Sequence, residues 1–152
     1  MAKATDFDLQ AFLPYLLNQA AEATSRGFQS IYRERYGFTR TQWRVLANLG
    51  KFGSMTARDI CVLSHVEKTK VSRAVAALEE AGMLIRSPSE TDRRAELLSL
   101  TPKGQEVFAD LGAAAVDFDR QLRQSLGPEE VERLVGLLRA LATPDRASQD
   151  AG

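Results

Sequence analysis

Apolar residues recur at steps of three and four along almost the whole chain, and one stretch, from Met83 to Leu100, breaks that period. Steps of three and four place side chains on one face of a helix, whereas alternation belongs to a strand. The chain is therefore expected to be mainly helical, with a small β element near its middle. The first helix is expected from Phe7 to Tyr36, its stripe opened by Leu9, Phe12, Leu13, Leu16 and Leu17 and continued by Ala20, Ala23, Phe28, Ile31 and Tyr32. Pro14 and Gly27 interrupt the run. Pro14 either kinks the helix or marks its true start, because it removes a backbone donor. Gly37 stops it.

Thr39 or Thr41 can cap a second helix that carries Trp43, Val45, Leu46 and Leu49 and ends near Gly50 to Gly53. Ser54 or Thr56 begins a shorter helix with Ile60, Cys61 and Leu63. After a turn at 64–66, Glu67 can cap a helix running to Ala81, with Gly82 at its left-handed end. Met83 to Arg86 and Leu97 to Leu100 then read as two short strands around a charged turn at 87–94, a hairpin or wing. Thr101-Pro102 opens a long helix with Val107, Phe108, Leu111, Ala114, Ala115, Phe118, Leu122 and Leu126. Gly127-Pro128 separates it from a last helix bearing Val131, Leu134, Leu137, Leu138 and Leu141. The small, polar tail 143–152 is expected to fray.

A chain of 152 residues falls within the size of one domain. Helices at both ends carry wide apolar stripes that so short a chain has little core to cover, which points to burial against a partner, most simply in a symmetric dimer. No stretch approaches the ~20 apolar residues that span a bilayer. Asp6 and Asp8 stand where a signal peptide would have a basic region and then an apolar core. A single cysteine, Cys61, excludes an intrachain disulfide framework and fits a reducing compartment, so cytoplasm is the expected location.

The 20 basic and 20 acidic side chains cancel, but not locally. Residues 41–104 hold ten basic and seven acidic groups, a net of +3, whereas residues 105–152 hold five and nine, a net of −4. Phosphate contact needs such a local excess, because salt screens charge beyond about 8–10 Å. Within the excess, the helix from Glu67 buries Val71, Ala74, Val75 and Leu78 at i, i+3, i+4 and i+7. Thr69, Ser72, Arg73 and Ala76 then fall on the opposite side, flanked by Lys68 and Lys70. That surface is slim, hydroxylated and cationic, as a helix entering the major groove requires; taken alone it is equally a solvated face. The wing follows at once, with Arg86 and the run Glu90-Thr91-Asp92-Arg93-Arg94 at its tip. An arginine on a narrow hairpin can enter a minor groove, where negative potential is concentrated. Asp92 would cap the turn or orient an arginine.

The run from Lys68 to Val75, followed by Leu78-Glu79-Glu80-Ala81-Gly82-Met83-Leu84-Ile85-Arg86, resembles the recognition helix and first wing strand of MarR-family regulators. Asp92-Arg93-Arg94 and Leu98-Ser99-Leu100-Thr101-Pro102-Lys103-Gly104 resemble that family's wing and following helix start, and Gln42-Trp43-Arg44-Val45-Leu46 a frequent second-helix pattern. Glu67 stands where the family more often has Asp or Ser. The similarity in element order runs from about Leu9 to Leu141. It implies a winged helix-turn-helix homodimer: a domain over 1–142, with a DNA-binding module at 37–104, dimerisation helices at 7–36 and 105–142, and a pseudo-palindromic double-stranded operator as partner. Half-sites would lie about 10 base pairs apart. Carried over, Lys68, Thr69, Lys70, Ser72 and Arg73 face the major groove and phosphates, Arg94 enters the minor groove, and Arg86 and Arg93 lie beside it on the wing.

The resemblance also implies a repressor released by a small aromatic or phenolic effector, for which Phe12, Tyr15, Trp43 and Arg44 are the candidates by location; the alternative for Phe12 and Trp43 is core packing. His65, the one histidine, either meets a phosphate or faces solvent in its turn, and Cys61 serves as core or as an oxidant sensor. The sequence has no phosphate-cradling glycine loop, zinc spacing or nucleophile elbow, so neither an enzyme nor a metal or other cofactor is expected. Glu79–Glu80 and Glu129–Glu130 read as solvated helix faces. A winged module that binds protein rather than DNA would tolerate loss of Lys68, Arg73, Arg93 and Arg94.

Overall fold

The computed structural model describes residues 6–143, which fall into two compact units, one up to Ala114 and one from Ala115. The first unit opens with a 3-10 turn, Leu9–Ala11, started by Asp8, whose carboxylate accepts the Gln10 N–H at 2.9 Å. Phe12 is extended, and α1 runs from Leu13 to Tyr36 with Pro14 in its first turn. Of the two roles open to Pro14 the structure selects helix start, since a missing donor costs nothing where no acceptor waits. Gly27 lies inside α1 and does not interrupt it. Gly37, at φ 68°, closes α1 with its N–H on the Arg33 carbonyl.

Two capping boxes set the next helices. Thr39 caps α2 (Arg40–Phe52) with Gln42 returning the bond, and Thr56 caps α3 (Ala57–Ser64) with Asp59. Each box satisfies two donors that a helix start otherwise leaves unpaired. Glu67 precedes α4 (Lys68–Glu80) in extended conformation, but its side chain accepts no capping bond, contrary to expectation. Glutamate carries its oxygens at least one carbon further out than the favoured Asp, Asn, Ser or Thr caps.

The sheet has three antiparallel strands, not two, in the order β1-β3-β2: β1 (Met55–Thr56), β2 (Leu84–Pro88) and β3 (Glu96–Leu100). β2 and β3 pair from Leu84 with Leu100 to Pro88 with Glu96, so the wing tip is 89–95 and shorter than expected. Pro88 is tolerated because β2 is an edge strand. Tyr32, Leu46, Leu49, Ile60, Val71, Leu78, Leu84, Leu98 and Leu111 are buried almost completely and form the core of this unit.

Helix α5 (Pro102–Leu126) begins against the end of α4. The Thr101 hydroxyl donates to the Gly82 carbonyl at 2.6 Å, the Thr101 N–H to that of Met83 at 3.0 Å, and Lys103 Nζ to that of Ala81 at 2.8 Å. A lysine on the last carbonyls of a helix also meets the negative end of its dipole. Thr101 in turn accepts the Gly104 N–H at 3.1 Å. Thr101 and Lys103 thus tie the start of α5 to the turn between α4 and β2.

Two polar clusters tie α1 to its neighbours. The Arg40 guanidinium forks onto Glu22 at 2.8 and 3.3 Å, and its hydrogen bond holds the Glu22 carboxyl below the ordinary value. Asp110 accepts the Tyr36 hydroxyl at 2.7 Å and Arg35 Nη1 at 3.1 Å; the Tyr36 bond, with that of Arg35, lowers the Asp110 pKa, and the bond to Asp110 raises that of Tyr36. A carboxyl held low in the folded state stabilises it fully above the unfolded pKa, and that stabilisation is lost as pH falls through the lower, folded value. Tyr36→Phe is expected to move Asp110 back towards the ordinary range, read by NMR titration of its side chain. An unmoved Asp110 would assign the shift to Arg35 alone.

The second unit comprises α5 from Ala115 and α6 (Pro128–Ala142), joined at Gly127 with φ 94°. Arg120 pairs with Asp117 and Arg123 with Asp119 along the α5 surface. Val131 is buried, whereas Leu122, Leu126, Leu134, Leu137, Leu138 and Leu141 are exposed. Thr143 closes α6 with its N–H on Arg139; the rest of the tail expected to fray lies outside the described residues.

Candidate nucleic-acid interface

Burial of Val71, Ala74, Val75 and Leu78 orients α4 as the periodicity predicts. It leaves Lys68, Thr69, Lys70, Ser72, Arg73 and Ala76 exposed on the other side. Among the described residues Lys68, Lys70 and Arg73 form no ion pair, so their charge is available to a partner. The capped start of α2 lies alongside: Thr39, Thr41 and Gln42 share a shallow cavity of about 230 Å³ with Lys70 and Arg73.

The wing tip is built by short polar contacts. Ser89 Oγ accepts the N–H groups of Thr91 and Asp92, and the Asp92 carboxylate accepts the Arg94 N–H at 2.9 Å. Of its two expected roles Asp92 therefore takes that of turn cap. Arg93 and Arg94 are exposed and form no ion pair among the described residues. Arg86 differs from them. Its Nε donates to Glu79 at 3.1 Å and its Nη1 to Glu96 at 3.4 Å, so it joins the end of α4 to both wing strands with its charge offset.

Arg58, not singled out from the sequence, lies on the first turn of α3 and faces the wing. With Arg86, Arg93 and Arg94 it lines a cleft of about 480 Å³. A cation in the first turn opposes the helix dipole, and that unfavourable placement was the readable sign.

The four effector candidates occupy different surroundings. Trp43 is half-buried, edge-on to Phe28 at 5.2 Å and stacked on Tyr32 at 6.1 Å. Phe12 is exposed and packs edge-on against Phe7 at 5.3 Å, while Tyr15 is half-buried in the first turn of α1. Arg44 lines a cavity of about 430 Å³ with Arg40, His65 and Lys70. His65 ends α3 in the left-handed region at φ 52°, its N–H on the carbonyl of half-buried Cys61. Among the described residues no cluster of His, Cys, Asp and Glu could hold a metal, and no helix is long and apolar enough to cross a membrane.

Residues 36–95, from the end of α1 to the wing tip, match the sequence model of the MarR family. The chain is 27% identical over 126 residues to the HTH-type transcriptional regulator FarR of Neisseria gonorrhoeae, covering 83% of this chain and 86% of that protein. It is 26% identical over 126 residues to the homoprotocatechuate degradative operon repressor of Escherichia coli, covering 83% and 84%. The solved structure of NadR in complex with 4-hydroxyphenylacetate is 25% identical with a TM-score of 0.78, over 95% of this chain and all of that one. The MarR-family model thus matches the winged module of α2 to β3, and the chain is similar along most of its length to transcriptional regulators.

Proposed function

We propose that the chain is a MarR-family transcriptional regulator, a homodimer that binds a pseudo-palindromic double-stranded operator in a sequence-specific way, represses transcription there, and is released by a small aromatic or phenolic effector. The observation that carries the reading is the exposed face of α4, where among the described residues Lys68, Thr69, Lys70, Ser72 and Arg73 stand without carboxylate partners beside a wing whose Arg93 and Arg94 are equally unpaired. Slim hydroxylated side chains let a helix approach the floor of the major groove, and unpaired cations replace the counterions of the phosphates. Arg86, held by Glu79 and Glu96, aims the wing rather than lending a free charge. Residues 37–104 act as the DNA-binding module in this reading, and 7–36 with 105–142 supply the dimer contacts. Exposed Leu9, Leu13 and Leu16 in one unit and Leu134, Leu137 and Leu141 in the other support that assignment, since such apolar stripes are covered in most folded proteins. The effector reading draws support from NadR, solved with an aromatic acid, and from the repressor named for the homoprotocatechuate operon.

The test is binding to DNA upstream of the protein's own gene, titrated from roughly 50 to 200 mM salt. Saturable binding that weakens steeply with salt and is lost on unrelated DNA is expected. With the dimer intact, failure to enrich any sequence from a random duplex pool would overturn the reading. Arg58→Ala should lower the salt slope by about 1 while leaving sequence preference intact, because it meets a phosphate and no base edge. A changed preference or an unchanged slope would remove Arg58 from the interface. A panel of phenolic and aromatic carboxylic compounds tests release: none weakening operator binding would count against an effector of that class.

A further inference from the structure

We infer that Thr91, at the wing tip, is a phosphorylation site, and that the phosphoryl group is held by the arginines of the neighbouring cleft and withdraws the wing from DNA. Thr91 is exposed, as are Glu90, Asp92, Arg93 and Arg94 around it. Exposed loop tips are where enzymes that act on a folded chain gain access to it. The other hydroxyl of the tip is committed, since half-buried Ser89 accepts the N–H groups of both Thr91 and Asp92. The Thr91 hydroxyl meets Ser89 Oγ at 3.2 Å and carries no such duty. In the transfer, Thr91 Oγ1 attacks the terminal phosphorus of a nucleoside triphosphate held by a protein kinase. The new O–P bond forms as the bond to the bridging oxygen breaks, nucleoside diphosphate leaves, and the hydroxyl proton passes to a base of the kinase.

Thr91 lines the cleft of about 480 Å³ that Arg58, Arg86, Arg93 and Arg94 also line. Arg86 is offset by Glu79 and Glu96, but Arg58, Arg93 and Arg94 form no ion pair among the described residues. Glu90 and Asp92 flank Thr91 in sequence and oppose a negative group, although Asp92 already accepts the Arg94 N–H. The three unpaired guanidiniums outweigh them. A phosphoryl group carries nearly two charges and three acceptor oxygens, which arginine meets with a fork of parallel donors. The start of α3 adds to the attraction: Arg58 stands in its first turn against the helix dipole, whereas a phosphoryl group in the cleft lies with that dipole. Phosphorylation therefore ties the wing tip to α3 and spends within the chain the cations that DNA would otherwise use. The effect on DNA rests on the reading of the wing as a groove contact.

The experiment uses full-length protein with phosphothreonine at position 91, introduced by codon reassignment, beside the same protein after phosphatase treatment. Phosphorus NMR against pH is expected to show the second ionisation of the phosphoryl group below its ordinary value of about 6, and Arg58→Ala should return it towards that value. The Kd for a duplex enriched from a random pool by the dephosphorylated protein should rise about tenfold or more on phosphorylation, with the salt slope lower by about 2. Mass spectrometry of the protein isolated from its own cells should find a phosphoryl group on the peptide that contains Thr91. A phosphoryl group that titrates as in the urea-unfolded chain, whatever residue stands at 58, overturns the cleft as its seat. Unchanged duplex affinity overturns the control of DNA binding. Absence of the modification from cells sampled through growth and stationary phase overturns Thr91 as a modification site. If the dephosphorylated protein enriches no duplex, the reading of the wing fails, while NMR and mass spectrometry still decide the site.

Discussion

Arg94→Ala is expected to weaken operator binding by about 1–3 kcal/mol, roughly five- to 150-fold, while leaving stability within about 0.5 kcal/mol of wild type. The side chain is exposed and joins no ion pair among the described residues, so the fold asks nothing of it. Its backbone is fixed independently, through the N–H that Asp92 accepts, and the wing tip should keep its shape when the guanidinium is gone. Arg73→Ala should cost a similar amount and also relax sequence preference at the bases facing α4, because a groove-floor contact carries base information and a phosphate contact does not. Arg86→Ala gives the opposite pattern. Removing two half-exposed ion pairs lowers stability by up to about 1 kcal/mol and affects DNA chiefly through the aim of the wing. Fluorescence anisotropy with a labelled operator, beside urea denaturation of each variant, separates the three. Wild-type affinity in both Arg73→Ala and Arg94→Ala would remove these side chains from the groove.

What the sequence made legible was what local periodicity and local chemistry determine. The face of α4 follows from 100° per residue, and the positive-φ ends at Gly37 and Gly82 follow from the freedom of glycine, so both were readable. The wing was visible as a change of period. Strand β1 was not, because two residues cannot display alternation and Met55–Thr56 becomes a strand only by pairing with Leu97 and Leu98. Gly27 looked like an interruption, yet a single glycine costs about 1 kcal/mol in a helix, which the burial of Phe28 and Tyr32 beside it can offset. Arg86 looked like one more wing cation, since its partners Glu79 and Glu96 stand seven and ten residues away and meet it only after α4, β2 and β3 have packed. Arg58 faces the wing for the same reason, through a tertiary approach that no local spacing encodes.

Gly104→Ala should destabilise the fold by about 1–3 kcal/mol or more. A Cβ at Gly104 would collide with the backbone carbonyl of Met83 and crowd the Leu100 side chain. That carbonyl cannot retreat cheaply. It accepts the Thr101 N–H, while the Met83 N–H is itself held by the Leu78 carbonyl at 3.0 Å, so moving the peptide disturbs the end of α4 and the start of β2 together. The alternative is for α5 to lift away, which stretches the bonds from Thr101 and Lys103 to Gly82 and Ala81. Either adjustment disturbs the joint that sets α4 against the wing. Operator affinity should therefore fall by more than the unfolded fraction accounts for. Gly112→Ala supplies the control on the same helix: its Cβ would meet nothing within 4 Å, and replacing a helical glycine by alanine should stabilise by about 0.5–1 kcal/mol. Urea denaturation at fixed protein concentration reads both, the concentration being held because the unfolding of any oligomer depends on it. A Gly104→Ala midpoint equal to wild type would show that the joint yields without cost, and the account of how α5 positions α4 would then be wrong.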